Sequence, residues 1–184
     1  MECSLRRALH GTLAVLTRVR AEDLEGPTPC ASWDVRALVN HFVGSARWWA
    51  ATIAGDGGVA DPDYAAGDFV AAYEESIRVA VAAFGAEGAL DRTIRLPFGE
   101  FPGTVLLSLA TVEQFTHGWD LARATGQPAN LDPGLASGLL SQARLAISDA
   151  YRGPDGQALF GLAREAPAGA GPADQLAAFL GRRA

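Results

Sequence analysis

Apolar residues return at steps of three and four along most of this chain, and that spacing limits the folds open to it. Leu5, Leu9, Leu13, Leu16 and Val19 form one stripe on a helix spanning 5 to about 19. Pro27 and Pro29 end the connection that follows, and Asp34 is a suitable N-cap for a second helix from 35 to about 53. Gly55-Asp56-Gly57-Gly58 stops that helix. A third runs from about 68 to 84, with Phe69, Ala72, Tyr73, Ile77, Ala80 and Phe84 as its apolar side. Thr93-Ile94-Arg95-Leu96 alternates and reads as a short strand or extended arm, and Phe98-Gly99-Glu100-Phe101-Pro102-Gly103 reads as turn. A fourth helix spans about 104 to 125, ended by Gly126-Gln127-Pro128. Asp132-Pro133 opens a fifth, to about 151. Residues 153 to 171 are rich in Gly, Pro and Ala and read as an ordered surface arm, after which Asp174 caps a short helix to about 180. Long helices with almost no strand indicate an all-α bundle in a single domain, 1–184.

Composition excludes several function classes. With 49% hydrophobic and 20% charged residues over 184 positions, the chain suits a globular domain with a real core. A net charge of −6 and a pI near 5.0 argue against nucleic acid as a partner. No apolar run is long enough to span a membrane, and no signal-peptide core is visible, so the expected location is the cytoplasm. Cys3 and Cys30 lie in no metal-finger or CxxC spacing, and Cys30 reads as a structural, buried thiol. The oligomeric state is not encoded in any pattern, and a homodimer stays open.

Two helices carry polar residues where apolar ones are expected. Glu113 and His117 stand one turn apart on the fourth helix, beside Leu106, Leu109, Ala110, Asp120 and Leu121. A buried, ionised glutamate is costly unless paired or bound to metal. On the second helix His41 interrupts the face of Leu38, Val39, Phe42 and Val43. Gly44 and Ser45 beside it leave space for a ligand, and Trp48 offers an aromatic wall, so these three are expected to line a pocket. A histidine on an apolar face is more often a satisfied core residue than a ligand. The E-x-x-x-H spacing also has weak specificity. Two such anomalies on inward faces nevertheless make His41, Glu113 and His117 a candidate set for one divalent metal. His10, beside Gly11, reads as structural.

Three stretches carry a family likeness. Thr28-Pro29-Cys30-Ala31-Ser32-Trp33-Asp34-Val35-Arg36-Ala37-Leu38-Val39-Asn40-His41 resembles the start of the second helix in the DinB-like metal-binding families. The branch it resembles includes mycothiol-dependent maleylpyruvate isomerases. His117-Gly118-Trp119-Asp120-Leu121-Ala122-Arg123-Ala124-Thr125-Gly126-Gln127 resembles the same branch, as does Asp174-Gln175-Leu176-Ala177-Ala178-Phe179-Leu180-Gly181-Arg182. The resemblance implies a DinB-like four-helix bundle with extra C-terminal elements. It also implies a metal held by one histidine from the second helix and a pair one turn apart on a later one, which are His41, Glu113 and His117 here. The chain departs from the pattern at Gly161-Leu162, where relatives tend to have Gly-Pro, so the arm from 153 to 171 is expected to differ in shape.

A His2Glu set with an open position is the layout of catalytic rather than structural zinc; Ni2+ and Fe2+ stay open as alternatives. Such a metal lowers the pKa of bound water, or binds a thiol and removes its proton. The resemblance favours the second, with mycothiol as a low-molecular-weight thiol cosubstrate and a small electrophile as acceptor, in an isomerase or an S-transferase. A hydrolase using metal-bound water and a non-catalytic metal-binding stress-response module are the competing readings. Asp120 is expected outside the ligand set, orienting a ligand. Arg78 and Arg123 read as surface residues, and Trp33 and Trp119 as packing residues.

Overall fold

A computed structural model describes all residues except 1, 31, 57–59, 61, 97–98, 155–156 and 184, and the backbone alone of residues 2 and 3. Gly57 and Gly58 of the expected helix stop, Phe98 of the expected turn and the Cys3 thiol therefore lie outside the described residues. Among the described residues there are six α-helices and one two-stranded hairpin. The helices are α1 (Glu2–Leu16), α2 (Val35–Ala54), α3 (Phe69–Phe84), α4 (Gly103–Ala124), α5 (Pro133–Ala146) and α6 (Pro172–Phe179). The strands are β1 (Thr93–Leu96) and β2 (Gly99–Pro102). No described helix is long and apolar enough to cross a membrane.

Local chemistry sets the helix ends. Asp34 accepts a hydrogen bond from the Ala37 amide at 2.8 Å, satisfying one orphan donor of α2. Gly55 closes α2 in the left-handed region at φ 84°, where a Cβ would be strained. Asp68 caps α3 through the Ala71 amide, and Asp132 caps α5 through the Leu135 amide with Pro133 in the first turn.

The four long helices pack as a ring, with α1 against α4 and α3, and α2 against α3 and α4. The main core lies between them around Leu9, Leu38, Phe42, Tyr73, Phe84 and Leu106. The outer side of α4 buries Val112, Phe115 and Trp119 against α5 and α6, forming a second core with Leu135, Leu139 and Leu176. Covered on both sides, α4 has buried residues almost all round from Ala110 to Ala122. Its buried polar groups must therefore find partners inside the protein. Gln114 shows how: its amide donates to the Phe42 carbonyl (3.1 Å) and the Ser45 hydroxyl (3.0 Å), and accepts from the Tyr73 hydroxyl (2.6 Å).

Three sequence expectations need correction. Residues 99–102 are strand rather than turn, paired antiparallel with β1 in the register Thr93–Pro102 to Leu96–Gly99. The fifth helix stops at Ala146: the chain turns extended at Ile147, whose side chain still packs against the second core, and Leu145 is 91% exposed. Asp174 is not an N-cap. Gly171 holds that position, and the Asp174 carboxylate instead accepts from the Trp119 indole N–H at 2.8 Å, tying α6 to α4. The 153–171 arm is sewn to α6. Arg152 donates to the carbonyls of Gly161 (2.9 Å) and Phe179 (2.8 Å), and the Arg164 amide donates to Ala178 (2.9 Å).

Candidate metal centre

The site forms where α2 and α4 cross. Ile53 packs beside Gly103 near one end of the pair, and His41 meets Glu113 nearer the other, so the two helices run antiparallel. His41 Nε2 lies 2.9 Å from Glu113 Oε1. The His41 and His117 rings stand nearly perpendicular, at 82°, with centroids 4.8 Å apart. One donor atom from each of His41, Glu113 and His117 falls within a cluster whose members all lie within 4.8 Å of one another. The His117 side chain is 8% exposed and that of His41 34%, so the cluster is closed on the α4 side and open along the His41 edge.

Each ligand candidate on α4 has its remaining polar atom engaged. The Trp49 indole N–H donates to Glu113 Oε2. His117 Nδ1 lies 3.1 Å from Asp120 Oδ2, and Asp120 is fully buried. Asp120 also accepts from Arg182 Nη2 (3.0 Å) and Nε (3.3 Å) and from the Cys30 thiol (3.2 Å). Trp33 covers the imidazoles, its ring centroid 4.4 Å from that of His41 and 5.7 Å from that of His117. The Trp33 position is fixed by the turn before α2, where the Thr28 hydroxyl donates to the Trp33 carbonyl (2.8 Å) and accepts from the Cys30 amide (3.1 Å).

These surroundings set the protonation states. Burial pushes the Glu113 carboxyl up, but His41, His117 and the Trp49 indole outweigh it and hold the group below the usual carboxylate range. Burial likewise works against an ionised Asp120, yet Arg182 and His117 keep it low. Burial pushes His117 below its ordinary value, more than Asp120 raises it. A neutral His117 that donates Nδ1–H to Asp120 presents the Nε2 lone pair to the cluster.

The residues fit a divalent ion. Two imidazoles and a carboxylate form the borderline donor set that zinc accepts, and the outer atoms of Glu113 and His117 carry the orienting bonds such ligands need.

Of the residues singled out from sequence, the fold brings His41, Glu113 and His117 together and places Asp120 against His117. Ser45 is engaged by Gln114 and Phe42, while Gly44 is half-buried. Trp48 is 39% exposed and packs edge-on against Trp49. Of these two neighbouring tryptophans it is Trp49, not Trp48, that contacts a member of the cluster. Arg78 is an exposed partner of Glu75, Arg123 lies over the Trp119 ring, and His10 is exposed on α1. Sequence reasoning missed Trp49 and Arg182 and read Trp33 and Cys30 as structural. Trp49 does carry a signal: it continues the buried series Phe42, Ala46, Trp49, Ile53, and a buried indole N–H requires an acceptor. Arg182 ends the third family-like stretch, but nothing in that stretch points to its partners, which are distant in sequence.

Comparison with known proteins gives the following. Residues 5–122 match the family of the mycothiol maleylpyruvate isomerase N-terminal domain. The match spans most of α1 and all of α2 and α3, and α4 as far as Ala122, so it includes the three cluster residues and Asp120 and ends before α5, α6 and Arg182. Two uncharacterized proteins of Mycobacterium tuberculosis, Rv0738 and MT0763, are each 41% identical over 181 residues, covering 96% of this chain and 94% of theirs. No solved structure matches.

Proposed function

The chain belongs to the mycothiol maleylpyruvate isomerase N-terminal domain family, and on that premise we propose that it is a metal- and thiol-dependent S-transferase or isomerase. His41, Glu113 and His117 hold one divalent metal, zinc foremost with Ni2+ or Fe2+ as alternatives. Mycothiol is the thiol cosubstrate and a small electrophile the acceptor. The observation that carries the reading is the convergence of two imidazoles and an ionised carboxylate within 4.8 Å, with one edge open.

When bound, the metal supplies the positive charge that lets a coordinated thiol lose its proton at neutral pH, where a free thiol of pKa about 8.5 is only a few per cent ionised. The protein's own groups do the rest. Trp49 fixes one oxygen of Glu113 and leaves the other for the cluster. Asp120 fixes His117. Trp33 shields the imidazoles from water on one side, and the 34% exposure of His41 marks the side from which thiol and acceptor enter. In an isomerase the sulfur adds to a carbon of a conjugated double bond, the electron pair moves to the carbonyl oxygen, and the resulting single bond rotates. Return of the pair then expels the sulfur. In a transferase the enolate takes up the proton that the thiol released and the adduct is the product; with a halide acceptor such as monochlorobimane the sulfur displaces chloride instead.

A hydrolase needs a free general base beside the metal. Asp120, the nearest further carboxylate, is fully buried and committed to His117, Arg182 and Cys30, which disfavours that chemistry. The test mixes metal-loaded protein with mycothiol and monochlorobimane or maleylpyruvate. A rate above background that disappears in His117→Ala supports the proposal. No rate, together with no mycothiol binding by calorimetry, leaves a non-catalytic metal module as the better reading.

A further inference from the structure

Asp120 does more than accept from one histidine. Its two oxygens are divided between three groups from three parts of the chain: His117 on its own helix, Cys30 from the turn before α2, and Arg182 from the segment after α6. Arg182 grips the carboxylate with both prongs, Nε toward Oδ1 and Nη2 toward Oδ2, which fixes the plane of the carboxylate as a single point charge could not. Nη2 also lies 3.3 Å from Cys30 Sγ.

The backbone that delivers Arg182 is itself specialised. Gly181 sits at φ 98°, and a Cβ there would overlap the backbone of Gly161, so the chain after α6 turns back by close contact of two glycines. The turn is held by the Arg182 amide on the Ala177 carbonyl (2.9 Å) and by Arg164 Nε on the Gly181 carbonyl (2.9 Å). The family match ends at residue 122. The C-terminal segment beyond it thus reaches back into the matched domain to the carboxylate behind His117.

We propose that Arg182 is a positioning residue for the metal centre: by fixing the Asp120 carboxylate it holds His117 in the Nδ1–H tautomer with Nε2 aimed at His41 and Glu113. The α5–α6 segment therefore completes the site rather than merely packing against it. A buried ion pair is weak evidence for stability on its own, because desolvation of both charges offsets their attraction. The arrangement instead has the form of an outer contact on a metal-bound histidine, whose loss lowers metal affinity about 10- to 100-fold. The inference rests on the metal reading only for its affinity arm; the tautomer arm is independent of it.

The test records long-range 1H–15N correlations of the His117 ring in metal-free protein, and zinc affinity by competition with a chelator. It compares wild type, Arg182→Met, Arg182→Lys and Asp174→Ala. The wild type is expected to show one tautomer, with the proton on Nδ1. Arg182→Met should show mixed tautomers and zinc affinity about 10-fold or more weaker. Arg182→Lys, which keeps the charge without the two-pronged grip, should fall between. It also serves as the deciding variant if Arg182→Met does not fold. Asp174→Ala breaks the Trp119 contact that anchors α6 and controls for general loosening; it should lower stability and leave the His117 tautomer unchanged. A wild-type tautomer and affinity in the Arg182 variant, or the same tautomer mixing in Asp174→Ala, would overturn the proposal. A wild type that holds the Nδ1–H tautomer but binds no zinc would overturn the metal reading and leave the positioning role standing.

Discussion

His41 Nε2 and Glu113 Oε1 meet at 2.9 Å across the α2–α4 crossing, although neither helix needs the other's polar residue to form. The contact joins a side chain that is one-third exposed to a carboxylate whose second oxygen is already held by Trp49. Two helices that packed through apolar residues alone would bury their faces at lower cost, since unpaired polar groups are expensive inside. Under the proposed metal reading the pair would be two ligands resting on each other, with the Trp49 indole keeping Glu113 in place.

The Trp49→Phe variant isolates that indole contact. Phenylalanine retains most of the ring packing against Trp48 and the core but cannot donate to Glu113. The expected result is zinc affinity about 10-fold weaker, with the helical signal unchanged. Chelator competition and circular dichroism on the same samples check it. Affinity equal to wild type would mean that Glu113 needs no such support.

Cys30 is expected to be chemically inert in the folded protein. Burial, and next the neighbouring Asp120 carboxylate, push its thiol up to about 12, while Arg182 only partly compensates. In the unfolded chain the thiol ionises near 9.0. The folded state holds the proton more tightly, so this contribution to stability is complete below the unfolded value and is lost as pH rises from 9.0 toward about 12. In a Cys3→Ser background, a disulfide reagent at pH 8 should label the folded protein far more slowly than the denatured one. Urea midpoints should also fall more steeply above pH 9 in that background than after a further Cys30→Ala change. Equal labelling rates would contradict the burial argument.

Gly118, next to His117, tests how closely α1 and α4 must approach. A Cβ at 118 would overlap the Thr12 hydroxyl, whose backbone also lies within contact range. The same hydroxyl donates to the Gln114 carbonyl at 2.7 Å, so it cannot move aside freely. Gly118→Ala should therefore destabilise the protein by about 1–3 kcal/mol, the usual cost of overpacking. Thermal melting reads it directly, and an unchanged melting temperature would show that the interface has slack.

The helices were legible because their apolar residues recur at helical spacing, and α2, α3 and α5 start on the capping aspartates Asp34, Asp68 and Asp132, although α4 follows Pro102 without a side-chain cap. Strand β2 was not, since Gly-Glu-Phe-Pro has turn composition and becomes extended only by pairing with β1, a tertiary decision. The end of α5 was missed for a similar reason. No glycine or proline follows Ala146 until Gly153, so the sequence carries no stop signal where the helix ends. In the site, the three cluster residues stood out as polar interruptions of apolar faces. Trp33, read as a packing residue, does pack, but against the imidazoles themselves. The role of Arg182 was invisible, although the residue ends a family-like stretch, because the contact that matters joins the segment after α6 to Asp120 on α4.

The most direct measurement is metal content after dialysis against a weak chelator, comparing wild type with His117→Ala and Glu113→Gln. One divalent ion per chain in the wild type, and far less than one in each variant with the helical signal preserved, is the expected result, because removing one of three ligands leaves a shell the others cannot complete. Wild-type metal content in a folded His117→Ala protein would contradict the assignment of the site.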